Sequence, residues 1–381
     1  SSRPLAEIAP GEGVTGNEFG TDEALELADL LYAPLFVTVN AGPGTAEDAA
    51  DWVRHVNRSG RKVEYWEIGN ELYFNPDPST PASGPSWLPS RYVEQYLEFA
   101  RAMRAADPEI KLGSDMEFNL GIRGCGVIDE GGCWADVLLR ETAHEIDYLA
   151  LHSGLAPIIV GWDPGWDLRT VYASMLASPI LVKQLLDELS AKVDRLAGSH
   201  ASRIKFAMTE WGPLFQADPR SRFIDHSQTL GSALYVASMM KTLIEHPRVE
   251  VAHGFNLVDT WTSGWIGERD GEFAVKAPYF AFQLFARHFG SQLLSTTANS
   301  PTYDARSIGL VGAVDHAPYL DIVSSRNADR GDLRVIAVNK HFDRAIRTSF
   351  RVRGFDAAGA DARTLTGTAI DANTGTRLPA S

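Results

Sequence analysis

The chain has 381 residues, a length sufficient for one large and one smaller domain. Of these residues, 44% are hydrophobic and 22% charged, a composition typical of a globular protein. Its formal net charge of -14 argues against a nucleic-acid partner, because phosphate binding requires a basic surface. No apolar run approaches the roughly 18 residues that a membrane span needs, so no membrane partner is expected. Uncharged substrates such as sugars are compatible with this composition.

The N-terminal part of the chain begins an alternation of strands and helices. The run PLFVTVNAG (34–42) predicts a strand, and Thr45 begins a helix with apolar residues on one face. The run VEYWEIGNE (63–71) predicts the second strand. Ser90 is predicted to cap the next helix, which ends at Asp107–Pro108 because the residue before a proline disfavours helical backbone.

The alternation continues to about residue 257 with four more strands and two helices. The strands are predicted at IKLGSD (110–115), IDYLALHSG (146–154), RIKFAMTEWG (203–212) and VEVAHGFNLV (249–258), and the helices near 179–197 and 227–245. Strands that alternate with helices indicate β/α units around a parallel sheet.

All six predicted strands end in polar or glycine residues. These strand ends are Asn40, Asn70–Glu71, Asp115, His152, Glu210 and Asn256. A (β/α)8 TIM barrel has this arrangement, because its active site is built at the carboxyl ends of its strands. A doubly wound sheet is the alternative, but no glycine-rich phosphate loop follows any of these strands.

The C-terminal part of the chain, from about residue 290, is β-rich. The runs LDIVSS (320–325), LRVIAVNKH (333–341), IRTSFRVRG (346–354) and ARTLTGTAID (362–371) predict strands of an antiparallel β-sandwich. A helix is predicted at 278–290, between the two parts. The predicted domains are therefore an α/β barrel over 1–285 and a β-sandwich over 286–381.

The only two cysteines, Cys125 and Cys133, lie in the glycine-rich stretch GIRGCGVIDEGGC. Their proximity predicts a disulfide and hence an extracellular, secreted protein, with free thiols in a cytoplasmic protein as the alternative. No nearby His or Cys completes a ligand set and no HExxH spacing occurs. The sequence therefore predicts neither a metal site nor a cofactor.

Two glutamates, Glu71 and Glu210, each end a strongly apolar strand beside Trp and Gly residues. Cleavage of a glycosidic bond needs one carboxylic acid to protonate the leaving oxygen and one carboxylate to attack the sugar or activate water. A single strand-end glutamate is more often a surface or salt-bridge residue. The matched pair favours a glycoside hydrolase.

These residues resemble known motifs. WEIGNE (66–71) and TEWG (209–212) resemble the acid/base and nucleophile motifs of clan A retaining glycosidases. The segments 19–57 and 333–341 are more specifically similar to the family 51 α-L-arabinofuranosidases. The resemblance implies an exo-acting enzyme that cleaves terminal α-L-arabinofuranosyl residues from plant-type oligo- or polysaccharides by double displacement.

The resemblance also implies roles for particular residues. Glu71 is expected to be the acid/base at the end of the fourth barrel strand, with Asn70 hydrogen-bonded to the sugar 2-hydroxyl. Glu210 is expected to be the nucleophile at the end of the seventh strand. In a retaining enzyme their carboxyl groups stand about 5–5.5 Å apart.

Further residues are candidates for binding the substrate, each with a structural alternative. Asn40 either contacts the sugar or stabilises its own loop, and His152 either orients Glu210 or is an ordinary barrel histidine. Trp211, Trp261 and Trp265 either contact the sugar or fill the core. Three residues that follow the third strand of the chain either line the pocket or belong to a solvated loop: Asp115, Glu117 and Asn119.

Two departures from the family concern the N-terminus and the pocket. The six strands match the third to eighth barrel strands, so we expect either a fragment or a second polypeptide that completes the barrel; a homo-oligomer is also possible. Ser153–Gly154 stand where the family tends to have a Tyr, which leaves the specificity open. The alternatives are a β-glycanase or β-glycosidase of the same clan, of endoglucanase or xylosidase type, and an inactive carbohydrate-binding fragment.

Overall fold

The computed structural model describes most of the chain. Side chains and backbone are described for 19–74, 87–116, 127–152, 165–215, 221–258, 263–267, 272–327, 331–355 and 357–373, and backbone alone for 6–9, 13–16, 155–156, 259 and 268–269. The α-helices in this part are α1 (Thr21–Leu31), α2 (Ala46–Arg58), α3 (Pro89–Ala106), α4 (Trp134–Thr142), α5 (Leu168–Leu196), α6 (Leu230–Glu245) and α7 (Ala277–His288). None of these described helices is long and apolar enough to cross a bilayer.

The strands are numbered in chain order. They are β1 (Ala6–Ala9), β2 (Gly13–Gly16), β3 (Phe36–Val39), β4 (Tyr65–Ile68), β5 (Lys111–Met116), β6 (Ile128–Asp129), β7 (Gly132–Cys133), β8 (Tyr148–Leu151), β9 (Leu155–Ala156), β10 (Lys205–Pro213), β11 (Val249–Gly254), β12 (Val258–Asp259), β13 (Ile266–Arg269), β14 (Glu272–Val275), β15 (Gln292–Leu294), β16 (Thr302–Ala305), β17 (Val314–Pro318), β18 (Leu320–Arg326) and β19 (Leu333–Asn339).

The main sheet contains the six strands predicted from the sequence. They are hydrogen-bonded in the order β11-β10-β8-β5-β4-β3, and β9 pairs with β10 beside this path. The pairs β3–β4, β4–β5 and β10–β11 are parallel. This is a TIM-barrel-like α/β fold, and within the described residues no further barrel strand extends it. The described residues fall into two compact units: the first contains those up to 116, 127–150 and 193–205, and the second contains those of 151–192 and from 206 onward.

In the first unit, helix α2 begins at the capping residue that the sequence predicts. Thr45 caps α2, because its Oγ1 accepts a hydrogen bond from the Asp48 N–H (3.1 Å) while the Asp48 carboxylate accepts one from the Thr45 N–H (3.3 Å). The apolar face of α2 is buried, including Val53 and Val56. An aromatic core lies under β4 and β5, where the rings of Tyr92 and Trp134 stack at 4.8 Å.

The N-cap of helix α3 lies two residues before the predicted cap, Ser90. Leu88 is the N-cap and Pro89 occupies the first turn, where its missing N–H and fixed φ fit a helix start. The prediction of a Ser90 cap is therefore wrong. The Ser90 N–H instead donates to Asp129 Oδ2 at 2.8 Å, which ties α3 to the strand β6.

Helix α5, most of which belongs to the second unit, begins at Leu168 rather than near residue 179. Pro179 lies inside it, although proline usually ends a helix. The carbonyl of Met175, which loses its usual N–H donor at Pro179, accepts a hydrogen bond from the Ser178 hydroxyl at 2.7 Å. This local replacement lets the helix continue through the proline.

The C-terminal region is β-rich, but less regular than predicted. LDIVSS and LRVIAVNKH form β18 and β19, which pair antiparallel, and β15 joins them in a three-stranded sheet. The predicted strand at 346–354 is not formed, since these described residues lie outside any strand, and 362–371 contains at most an isolated bridge. Alternating sequence alone does not make a strand without a pairing partner. The domain border near residue 285 stays a prediction.

Candidate active site

Glu71 lies just beyond the end of β4 in a tight turn. Gly69 has φ +89°, and a Cβ there would stand 2.7 Å from the Leu72 side chain, so this position requires glycine. Glu71 itself adopts a left-handed conformation with φ +48°, which is unusual for a residue with a side chain. Its carbonyl accepts the Phe74 N–H at 2.9 Å, and its side chain is half-buried.

The turn at Glu71 is tied to the neighbouring strand β5 by a buried carboxylate. Asp115 is 1% exposed, and its Oδ2 accepts a hydrogen bond from the Leu72 N–H at 2.6 Å. The expectation of a solvated loop at Asp115 is therefore wrong. The sequence predicts Asp115 as a candidate pocket residue, but nothing in the local pattern reveals its hydrogen bond to Leu72.

Glu210 has a different setting, inside the long strand β10. Its side chain is 29% exposed, and its Oε1 lies 3.7 Å from Nδ1 of His152, which directly follows β8. His152 is itself buried. A buried imidazole beside a partly exposed carboxylate can orient that carboxylate and, when protonated, stabilise its charge.

Two predicted sugar-binding indoles, Trp211 and Trp265, are core residues instead. Both are buried, with ring centroids 6.1 Å apart, and the Trp265 ring also packs 5.3 Å from that of Phe282. A Cβ at Gly254 would meet the Trp265 ring at 2.2 Å, so the strand fits closely against this indole. The burial supports the core alternative and does not support stacking on a sugar.

The asparagine candidates lie in exposed positions. Asn40 uses its Oδ1 to accept the Gly42 N–H at 3.2 Å, an arrangement that stabilises its own loop. Asn70 is exposed and precedes Glu71, so its amide is accessible beside the turn. Two candidates, Trp261 and Cys125, lie outside the described residues, as do Ser153–Gly154, Glu117 and Asn119. The Cys125–Cys133 disulfide therefore stays a prediction.

Known α-L-arabinofuranosidases are similar to this chain in sequence and in fold. The alpha-L-arabinofuranosidase C-terminal domain family matches residues 209–378. The structure of the thermostable GH51 alpha-L-arabinofuranosidase from Thermotoga petrophila superimposes with a TM-score of 0.77 and 21% identity, covering 98% of this chain and 76% of that one. The chain is therefore similar to the family 51 α-L-arabinofuranosidases.

Two α-L-arabinofuranosidases of similar sequence extend the comparison. The intracellular exo-alpha-L-arabinofuranosidase of Bacteroides ovatus is 23% identical over 361 residues, which are 86% of this chain and 65% of the relative. The intracellular exo-alpha-(1->5)-L-arabinofuranosidase 1 of Bacillus subtilis is 23% identical over 377 residues, which are 90% of this chain and 68% of the relative. The chain thus spans about two thirds of the length of these two proteins.

Proposed function

We propose that this protein is a retaining glycoside hydrolase that releases terminal α-L-arabinofuranosyl residues, with Glu71 as acid/base and Glu210 as nucleophile. The observation that carries the proposal is the setting of the two glutamates, one just after β4 and the other in the carboxyl-terminal half of β10, in strands of one sheet. Active sites of such folds are built at the carboxyl ends of the strands. The family 51 similarity supports the assignment.

In the first step of this mechanism, the Glu210 carboxylate attacks the anomeric carbon and forms a covalent ester. The bond from that carbon to the leaving oxygen breaks, and Glu71 gives its proton to the leaving oxygen. In the second step Glu71 takes a proton from water, whose oxygen attacks the same carbon. The ester bond breaks, and the Glu210 carboxylate and the Glu71 acid are regenerated with retained configuration at the sugar.

His152 supports the nucleophile in this scheme. Its Nδ1 lies 3.7 Å from Glu210 Oε1, and its burial restricts the ring to few orientations. A fixed imidazole limits the rotation of the carboxylate and keeps one oxygen available for attack. His152 is therefore a positioning residue for Glu210.

We propose an intracellular location in place of the extracellular one that the sequence predicts. Secretion was predicted from the two cysteines, yet the Bacteroides and Bacillus relatives are both named intracellular, which does not support an extracellular assignment. We therefore propose that this protein acts inside the cell on arabinose-containing oligosaccharides.

A panel of aryl glycosides tests the substrate class. We expect hydrolysis of 4-nitrophenyl α-L-arabinofuranoside, with slower or no hydrolysis of the β-D-xylopyranoside and β-D-glucopyranoside. Proton NMR at early times should detect the α-anomer of arabinofuranose, as double displacement requires. Preference for the β-glycosides would favour a β-glycosidase, inverted product would exclude the proposed mechanism, and sugar binding without turnover would indicate a carbohydrate-binding protein.

A further inference from the structure

We propose that Asp115 is a positioning residue that holds the Glu71 turn in the geometry needed for proton transfer. The inference rests on the proposed role of Glu71 as acid/base. Asp115 lies at the carboxyl-terminal part of β5, next to β4 in the sheet. Its carboxylate bonds the backbone N–H of Leu72, the residue that directly follows Glu71.

The contact between Asp115 and Leu72 is short and buried. The Leu72 N–H donates to Asp115 Oδ2 at 2.6 Å, and Asp115 is 1% exposed while Leu72 is 6% exposed. A hydrogen bond to a charged acceptor is stronger than one between neutral groups, particularly where water is excluded. Glu71 therefore has its following peptide unit anchored to the adjacent strand.

Tyr92 of α3 anchors the same turn from its other side. Its hydroxyl donates to the carbonyl of Ile68, the last residue of β4, at 2.6 Å, and accepts the backbone N–H of Asp115 at 2.7 Å. Burial, reinforced by the Asp115 charge, raises the pKa of Tyr92 well above its usual range, so the hydroxyl keeps its proton. The Trp134 indole N–H also donates to the Asp115 carbonyl at 3.0 Å.

The anchoring explains how Glu71 maintains its conformation. A residue with a Cβ at φ +48° occupies a sparsely populated region and stays there only when its surroundings fix it. Bonds to Ile68 before the turn and to Leu72 after it supply that constraint. Proton transfer requires the acid within hydrogen-bond reach of the leaving oxygen, so a small rotation of this turn would reduce catalysis.

Replacement of Asp115 by Ala should reproduce part of the loss expected when the acid/base is removed. General acid catalysis contributes about 10²–10⁴-fold, so we expect kcat/KM for a substrate with a poor leaving group, such as methyl α-L-arabinofuranoside, to fall about 10²-fold. The 2,4-dinitrophenyl α-L-arabinofuranoside needs no protonation, and its kcat/KM should fall by no more than about 3-fold. Asp115→Asn keeps an oxygen acceptor for Leu72 and should recover most of the loss.

A matched control variant is Asp147→Ala. Asp147 Oδ2 accepts the Leu112 N–H of β5 at 2.9 Å, nearer the amino-terminal end of that strand, and binds Arg104 at 2.7 Å. Its loss should lower thermal stability without changing the ratio of kcat/KM between the two substrates. Tyr92→Phe provides a second, milder probe, since it removes the hydroxyl bonds and should change the substrate ratio in the same direction as Asp115→Ala.

The result that would overturn the inference is an equal loss on both substrates in Asp115→Ala and Tyr92→Phe, as a reduced fraction of folded protein would give. If Asp115→Ala does not fold, the substrate ratio in Tyr92→Phe decides the question. The proposed function fails separately, if Glu71→Ala itself loses both substrates equally. In that case Glu71 is not the acid/base, whatever the Asp115 variants show.

Discussion

The surroundings of the two glutamates differ in kind. Glu71 lies beyond its strand, in a left-handed turn whose backbone is held by Asp115 through Leu72. Glu210 lies within an extended strand that continues to Pro213, and the Nδ1 atom of His152 stands 3.7 Å from its Oε1. Position is thus maintained through the main chain in one case and through a neighbouring side chain in the other. The difference predicts distinct responses to mutation.

The largest effect is expected for Glu210→Ala. No covalent intermediate can form without this carboxylate, so kcat should fall by about 10⁴-fold or more for good and poor leaving groups alike. Steady-state assays with both aryl and alkyl arabinofuranosides measure this. Glu109→Ala, an exposed glutamate paired with Lys62, is the control and should keep full activity. Substantial residual turnover by Glu210→Ala would assign the nucleophile elsewhere.

Glu71→Ala should respond to the leaving group. A substrate with a low-pKa phenol needs no protonation, so its first step is spared while the second slows for lack of a base. We therefore expect kcat and KM to fall together and the glycosyl-enzyme to accumulate in mass spectra. Azide should restore turnover and give a glycosyl azide of retained configuration. Equal loss on all substrates, with no response to azide, contradicts the assignment of Glu71.

His152→Ala should lower activity on good and poor leaving groups alike, as Glu210→Ala does, but by a smaller factor. Loss of an orienting group next to the nucleophile is expected to lower kcat/KM by about 10²-fold, with the same factor for good and poor leaving groups. Measuring that ratio separates support of the nucleophile from support of the acid/base. A leaving-group dependence like that of Glu71→Ala would mean that His152 acts on protonation instead.

The smallest expected effect concerns stability at acidic pH in the unit that contains Glu210. Burial lowers the pKa of His246; Asp187 opposes this shift, while Lys183 and Arg248 add to it. The unfolded chain therefore binds more protons than the folded chain below about pH 6.5, so the free energy of unfolding falls as the pH drops from 7 to 5. His246→Gln should show a smaller decrease in Tm between pH 7.5 and 5.0 than wild type. An identical decrease would remove His246 as a cause.

The β/α part of the fold was predictable because its signals are local. The capping pair Thr45 and Asp48 lies three residues apart, and apolar runs marked each barrel strand. The predicted start of helix α5 lies too far along the chain. The Ser178 hydroxyl replaces the backbone hydrogen bond that Pro179 cannot donate, and this replacement depends on a rotamer rather than on residue type. The strand predicted at 346–354 needed a partner that the pattern could not supply.

Within the candidate site, residue type and strand-end position predict Glu71, Glu210 and His152 as candidates. The hydrogen bond that the Asp115 carboxylate accepts was not predictable, because its partner Leu72 lies 43 residues away in sequence. The burial of Trp211 and Trp265 was not predictable for a related reason. An indole is suited both to a core and to a sugar platform, and only tertiary packing decides which.

The left-handed backbone at Glu71 has a consequence for thermal stability. A side chain at φ +48° costs about 1–2 kcal/mol relative to glycine, so the chain gives up folding free energy at the residue proposed to carry the proton. Glu71→Gly should then melt at a higher temperature than Glu71→Ala, although neither can transfer a proton. Selection for thermal robustness alone would thus favour an inactive protein at this position, and a heat-tolerant variant of the active enzyme must gain its stability elsewhere in the fold.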